Sequence, residues 1–229
     1  MTDPTGSAQL AAVMAAARFV LLDFDGPVCD VFAGRPARDV ADDLRQHLIS
    51  QLDQQLTGDA ATTHDPLMIV RAVAEIAPHL SSDIDAALRK AELDAVATAT
   101  LTPGVTAFIE ACTRTGRPLA IVSNNSAPAV AEYLHRHDLT GAVQYIAGRD
   151  PDDPRRMKPA TFLLDQAVTE LAADPTATVL VGDSTTDVEA ARAAGVLVIG
   201  YVNKPKKTRT LAGADALTTS IDELASVTV

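Results

Sequence analysis

The segment Phe19 to Asp30, FVLLDFDGPVCD, ends an apolar run in two carboxylates one residue apart, Asp23 and Asp25, followed by Gly26 and Pro27. Taken alone, it fits equally well a strand end turning into solvent, since Asp, Gly and Pro all punctuate loops. Three further stretches place reactive side chains in a comparable way. IVSNN ends an apolar run in Ser123, Asn124 and Asn125; TVLVGDSTTD ends another with Asp183, Ser184 and Asp187; and Lys158 stands just before Pro159, which opens a helical pattern. Three or more carboxylates crowded together repel one another unless a cation intervenes. Hard oxygen donors of this kind suit Mg²⁺, which keeps several waters and binds through a few carboxylates plus a phosphate. A hydroxyl, the backbone amides of a turn entering a helix, and one ammonium group suit an anion such as phosphate.

These groups need elements that bring them together. Residues 18–23, 118–123, 143–147, 177–182 and 196–201 are short runs rich in Val, Ile and Leu, of the kind buried on both faces of a parallel sheet. Between them lie helical patterns with readable ends: Pro103 before and Gly116 after VTAFIEACTRT, Ser126 before APAVAEYLHRH, Pro159 before ATFLLDQAVTELA, and Gly195 after TTDVEAARAA. The alternation predicts a doubly wound α/β fold with a mainly parallel sheet. In such a sheet ligands bind beyond the carboxyl ends of the strands, where Asp23, Ser123 and Asp183 all fall.

Residues 34–100 interrupt the alternation with three helical stretches and no strand. The first carries Val40, Leu44, Leu48, Leu52 and Leu56 at spacing four, which reads as a core-facing stripe. The expected organisation is an α/β core of residues 1–33 and 101–229 with an all-helical insertion of residues 34–100. Joined by Gly- and Pro-containing connectors, the insertion is expected to open and close as a hinged lid.

Composition narrows the partners. Nineteen Lys and Arg against thirty Asp and Glu give a formal charge of −11, which repels nucleic acid. No apolar run reaches the roughly 18–20 residues that span a bilayer, and the Ala-rich start lacks a cationic segment, so a cytoplasmic protein is expected. Cys29 and Cys112 have no CxxC spacing and read as small buried hydrophobes. The five His residues form no metal-ligand grouping.

In order, DFDGPV, IVSNN, MKP and VLVGDSTTD resemble the four motifs of the haloacid dehalogenase superfamily, specifically its capped phosphatase branch with its phosphoglycolate phosphatase and phosphomutase relatives. The resemblance covers nearly the whole chain, and the family's helical cap falls between the first two motifs. It implies a Rossmann-like core and a Mg²⁺-dependent hydrolase of a small phosphorylated metabolite. Asp23 matches the nucleophile that forms an aspartyl-phosphate, and Asp25 the acid that protonates the leaving oxygen and later activates water. Ser123 and Asn124 match the phosphate-binding motif. Lys158 matches the cation that screens nucleophile and phosphoryl oxygens. Asp23, Asp183 and the backbone carbonyl of Asp25 match the metal ligands, with Asp187 supporting them.

Pro27 departs from the Thr usual in the family and removes a backbone N–H. In the insertion Arg35, after Gly34, is the expected substrate contact, with Phe32 and Arg38 nearby. Arg149, Arg155 and Arg156 are expected in a solvated loop. A phosphomutase with the same core residues, or a non-catalytic phosphate-binding module, remains an alternative. The resembling dehalogenases lack the second aspartate of the pair, and Asp25 is present.

Overall fold

Six apolar runs become strands in the computed structural model, which describes residues 4–49 and 56–229. They are β1 (Phe19–Leu22), β2 (Leu119–Val122), β3 (Tyr145–Ala147), β4 (Thr178–Gly182), β5 (Leu197–Tyr201) and β6 (Ala216–Thr218). All neighbours pair in parallel, in the order β3-β2-β1-β4-β5-β6. Five strands fall on the runs read from the sequence. The sixth, only three residues long, was not anticipated.

Successive strand residues point to opposite faces, and both faces are apolar. Val20, Leu22, Ile121, Val179, Val181 and Ile199 join one core cluster; Leu21, Ala120, Val122, Leu180 and Val198 join the other. The first face is covered by α1 (Pro4–Ala16), α6 (Val105–Arg114), α7 (Ala127–Arg136) and α11 (Ile221–Val227). The second is covered by α8 (Phe162–Glu170) and α9 (Thr185–Ala194). Helices on both faces make this a doubly wound α/β fold.

The helical section between β1 and β2 comprises α2 (Ala37–Leu48), the single turn α3 (Asp59–Thr62), α4 (Pro66–Ile76) and α5 (Ser81–Val96). A short helix, α10 (Lys207–Thr210), follows β5. Val40, Leu44 and Leu48 of α2 meet Ile69, Val70 and Val73 of α4 and Ile84 and Leu88 of α5 in a third, separate cluster, with Leu56 packed against it. Leu52 of the predicted stripe lies outside the described residues.

Asp65 caps α4, accepting a hydrogen bond from Leu67 N at 2.9 Å, and Pro66 occupies the first turn, where a missing N–H costs nothing. Among the described residues, no helix is long and apolar enough to cross a membrane.

The chain leaves β1 toward β2 and β3, then returns to β4 on the other side of β1. The crossovers therefore diverge between β1 and β4, where a crevice opens at the carboxyl edge. Asp23 follows β1 there, and Asp183 follows β4.

Candidate active site

Asp23 continues the ladder: its N–H donates to Val181 O at 2.9 Å, so the side chain is fixed at the sheet edge. The chain then turns sharply. Val28 N and Cys29 N both donate to Phe24 O at 3.1 Å, and Gly26 N donates to Cys29 O at 2.6 Å. None of these bonds needs an N–H at position 27, so buried Pro27 is accommodated. Asp25 is held by Val31 N–H on Oδ1 at 3.0 Å. The connector that closes the helical section returns here, with Thr102 Oγ1 donating to Gly26 O at 2.7 Å.

After β4, Ser184 caps α9 in a capping box with Asp187. Asp187 Oδ2 accepts from Ser184 Oγ at 2.6 Å, Ser184 N at 3.0 Å and Asp183 N at 3.1 Å. That leaves Oδ1 facing inward, 2.5 Å from Lys158 Nζ. Lys158 Nζ also lies 2.8 Å from Asp23 Oδ1 and donates to Val122 O at 2.9 Å. The ammonium has three donors and three acceptors, and at 2% exposure it is a fixed buried charge. Burial works against that charge, but Asp187 and Asp23 outweigh it and raise the Lys158 pKa.

The backbone of Lys158 is gripped by Asn124, whose Oδ1 accepts from Lys158 N at 2.8 Å and whose Nδ2 donates to Lys158 O at 3.2 Å. In the same turn, Ser123 Oγ accepts from Asn125 N and donates to Asn125 Oδ1, both at 3.1 Å.

The carboxylates are under electrostatic load. Burial raises the pKa of Asp23 well above its usual range, Asp187 adds to this, and Lys158 opposes it. Burial pushes Asp25 up to about 6, against the stabilising Val31 N–H and with a further push from Asp183. Asp183 is also raised by burial, opposed by Lys207 from α10, whose ammonium pairs with Asp183 Oδ2. Asn203 Nδ2 donates to the same oxygen at 2.8 Å.

Asp23, Asp183 and Asp187 each bring an oxygen within 4.8 Å of the others. Both oxygens of Asp187 are already committed to Lys158 and the α9 turn, so Asp23 and Asp183 are the carboxylates open to a cation. Among the described residues, four carboxylates, counting Asp25, gather about two ammonium groups, those of Lys158 and Lys207. The donor set is hard and carries excess negative charge, which fits a divalent cation such as Mg²⁺.

Asp23, Asp25, Ser123, Asn124, Lys158 and Asp183 line one cavity of about 580 Å³ beneath the helical section. Phe32, His64, Leu67, Met68, Arg71 and Leu88 line it from above. Arg71 of α4 reaches across and donates to Lys158 O. Sequence reading singled out neither Arg71 nor Lys207 and Asn203.

Arg35 is not brought to this cavity. It pairs with Asp43 and borders a different one, with His47 and Asp83. Arg38 pairs with Asp39 at the surface. Arg155 and Arg156 are exposed and pair with Asp153 and Asp150, whereas Arg149 is 4% exposed, overturning its reading as a solvated loop residue. It is drawn inside by Asp85 and Glu92 of α5. Both cysteines are buried.

Comparison with known proteins adds relatives to this geometry. The Cupriavidus necator protein named phosphoglycolate phosphatase, plasmid, is 41% identical over 130 residues, which span 53% of this chain and 53% of that protein. The phosphoglycolate phosphatase of Rhodospirillum rubrum is 27% identical over 204 residues, 81% of each chain. Among solved structures, CbbY from Rhodobacter sphaeroides in complex with phosphate shares the fold, with a TM-score of 0.69 at 24% identity over 91% of this chain and 96% of that one. A HAD-superfamily hydrolase from Geobacter sulfurreducens aligns with a TM-score of 0.59 at 17% identity, over 93% and 97% of the two chains. The family model described as haloacid dehalogenase-like hydrolase matches residues 42–201, well over half of the chain. The chain belongs to the haloacid dehalogenase-like hydrolases.

Proposed function

We propose that this chain is a Mg²⁺-dependent phosphatase that hydrolyses a small phosphorylated metabolite through an aspartyl-phosphate on Asp23. The observation that carries the reading is the Lys158 ammonium, 2.8 Å from Asp23 Oδ1 and facing the same cavity as the Ser123–Asn125 turn and Asp183. A carboxylate cannot approach a phosphate dianion unless positive charge screens both, and Lys158 supplies one such charge in a fixed place.

Bound at Asp23 and Asp183, with the Asp25 carbonyl, Mg²⁺ would neutralise phosphoryl oxygens. The Asp23 carboxylate attacks phosphorus and the bond to the leaving oxygen breaks. Protonated Asp25 gives that oxygen its proton. Asp25, now a carboxylate, takes a proton from the water that attacks phosphorus, and the bond to Asp23 breaks. A pKa pushed up to about 6 suits a group that acts first as acid and then as base near neutral pH. Asp187 holds Lys158, and the helical section covers the site as a cap.

Within the cavity the cap offers Arg71, an anion-binding group beside otherwise mainly apolar cap side chains. The names of the relatives make phosphoglycolate the first substrate to try. The R. sphaeroides CbbY solved in complex with xylulose-(1,5)bisphosphate suggests sugar bisphosphates as the second.

The test is a phosphate-release screen over phosphorylated metabolites, with and without Mg²⁺. Release that depends on Mg²⁺ supports the reading. Isomerisation of a sugar phosphate without release would replace it with a phosphomutase, and binding without turnover with a binding module.

A further inference from the structure

Glu92 of α5 has no exposed surface, yet its carboxylate accepts four hydrogen bonds. Oε1 accepts from Arg149 Nη1 at 2.8 Å and Asn125 Nδ2 at 3.2 Å; Oε2 accepts from Ser126 N at 3.0 Å and Arg149 Nη2 at 3.3 Å. Arg149 in turn donates through Nη1 to Asn124 O at 2.9 Å, through its backbone N–H to Asn125 O at 2.8 Å, and through Nε to Asp85 Oδ1 at 2.6 Å.

These bonds close a circuit. Glu92 holds Arg149, Arg149 holds the carbonyl of the Asn124–Asn125 peptide, and the N–H of that peptide donates to Ser123 Oγ. Ser123 Oγ donates to Asn125 Oδ1, and the amide of Asn125 returns to Glu92. The turn from Ser123 to Ser126, one wall of the cavity, is thus oriented by a cap helix rather than by its own strand alone.

Burying such charges is expensive, and apolar replacements of similar volume often fold as stably. Apart from Asp85, every partner of the buried Glu92–Arg149 pair named above lies in the turn of residues 124–126, so the pair fixes the position of that turn.

We propose that Glu92 is a positioning residue for phosphate binding: acting through Arg149 and Asn125, it sets the peptide plane and the Ser123 hydroxyl that face the phosphoryl group. The inference rests on reading the cavity as a phosphate site. It also makes α5 part of the wall of the site, with Leu88 and Glu92 lining the cavity.

Two variants separate positioning from mere stability. Glu92→Gln keeps the volume but removes the charge and turns an amide donor toward donors. Asp85→Asn weakens only the outer pair of Arg149 and leaves every bond from Glu92 to the turn. Inorganic phosphate binding in the presence of Mg²⁺, followed by calorimetry, is expected to weaken about tenfold or more in Glu92→Gln. Asp85→Asn should lower the unfolding midpoint with phosphate affinity close to that of the wild type. Should Glu92→Gln fail to fold, hydrogen exchange on the wild-type protein replaces it: phosphate should increase protection of the Asn125 and Ser126 amides and of α5 around Glu92 together. Wild-type protein that binds phosphate, with Glu92→Gln binding it equally well or with exchange at α5 unmoved, overturns the positioning role alone. Wild-type protein that binds no phosphate overturns the functional reading beneath it.

Discussion

Gly26 and Asp183 pack backbone against carboxylate: a Cβ on Gly26 would stand 2.5 Å from Asp183 Cγ. Gly26 also holds φ at +107°, where side-chain-bearing residues are strained. Only glycine lets the loop after β1 meet the carboxylate after β4, the contact that builds the proposed cation site.

Gly26→Ala is therefore expected to cost about 1–3 kcal/mol of stability from backbone strain. Because it pushes Asp183 aside, it should also raise the Mg²⁺ concentration needed for half-maximal activity. Thermal denaturation and a Mg²⁺ titration of turnover check the two effects, and an unchanged Mg²⁺ requirement would contradict this placement of Asp183.

Lys158→Met leaves the buried carboxylates of Asp23 and Asp187 without their shared ammonium. Removing one partner of a buried pair costs about 3–5 kcal/mol. The loss should depend on pH. Asp23, already raised by burial, would be raised further, so the variant should be less impaired at acidic pH, where that carboxyl is protonated, and most impaired at neutral pH. Urea denaturation of both proteins at acidic and neutral pH measures this.

The metal-free protein carries a related signature. Asp25 has a folded-state pKa of about 6, above the usual carboxylate value, because burial and Asp183 outweigh Val31 N–H and Lys207; Asp30 adds to the rise. Asp23 and Asp183 are raised as well. A group whose pKa is raised on folding contributes stability that is present below its unfolded value and lost as pH rises through its folded value. Without metal, the stability contributed by Asp25 should fall between about pH 4 and pH 6, and the raised Asp23 and Asp183 act in the same direction. Mg²⁺ should raise the melting temperature more at pH 7.5 than at pH 5. A shift that is equal or larger at the lower pH would count against a carboxylate cation site.

The sheet and its edge were legible because each strand announces itself locally: an apolar run stops at polar residues, as FVLL stops at Asp23 and TVLVG at Asp183. The short strand β6 escaped because Ala216–Thr218 is too brief to show a period. Helix α1 escaped because its Ala-rich run has no polar face to alternate with an apolar one, although Leu10 and Met14 are fully buried.

At the site, Asp23, Ser123 and Asp183 can be picked out because each ends an apolar run; Lys158 stands out beside Pro159, although the helix expected to open at that proline begins only at Phe162. Glu92, Asp85 and Arg149 cannot: on an amphipathic helix or in an arginine-rich loop, charges read as solvent-facing, and partners 57 and 64 residues apart leave no local trace. Lys207 likewise comes from a basic run that reads as surface. Arg35, close to the first motif in sequence, lies beside Asp43 of α2 and borders a different cavity, because nearness along the chain does not fix where a side chain ends up.

The central claim, that Asp23 carries the phosphoryl group, is tested most directly by quenching the enzyme in acid during turnover with Mg²⁺ and locating covalent phosphate by mass spectrometry. Label on Asp23 is predicted, together with its absence and loss of turnover in folded Asp23→Asn. Steady turnover in that variant with deamidation excluded, or wild-type label confined to a residue other than Asp23, would contradict it.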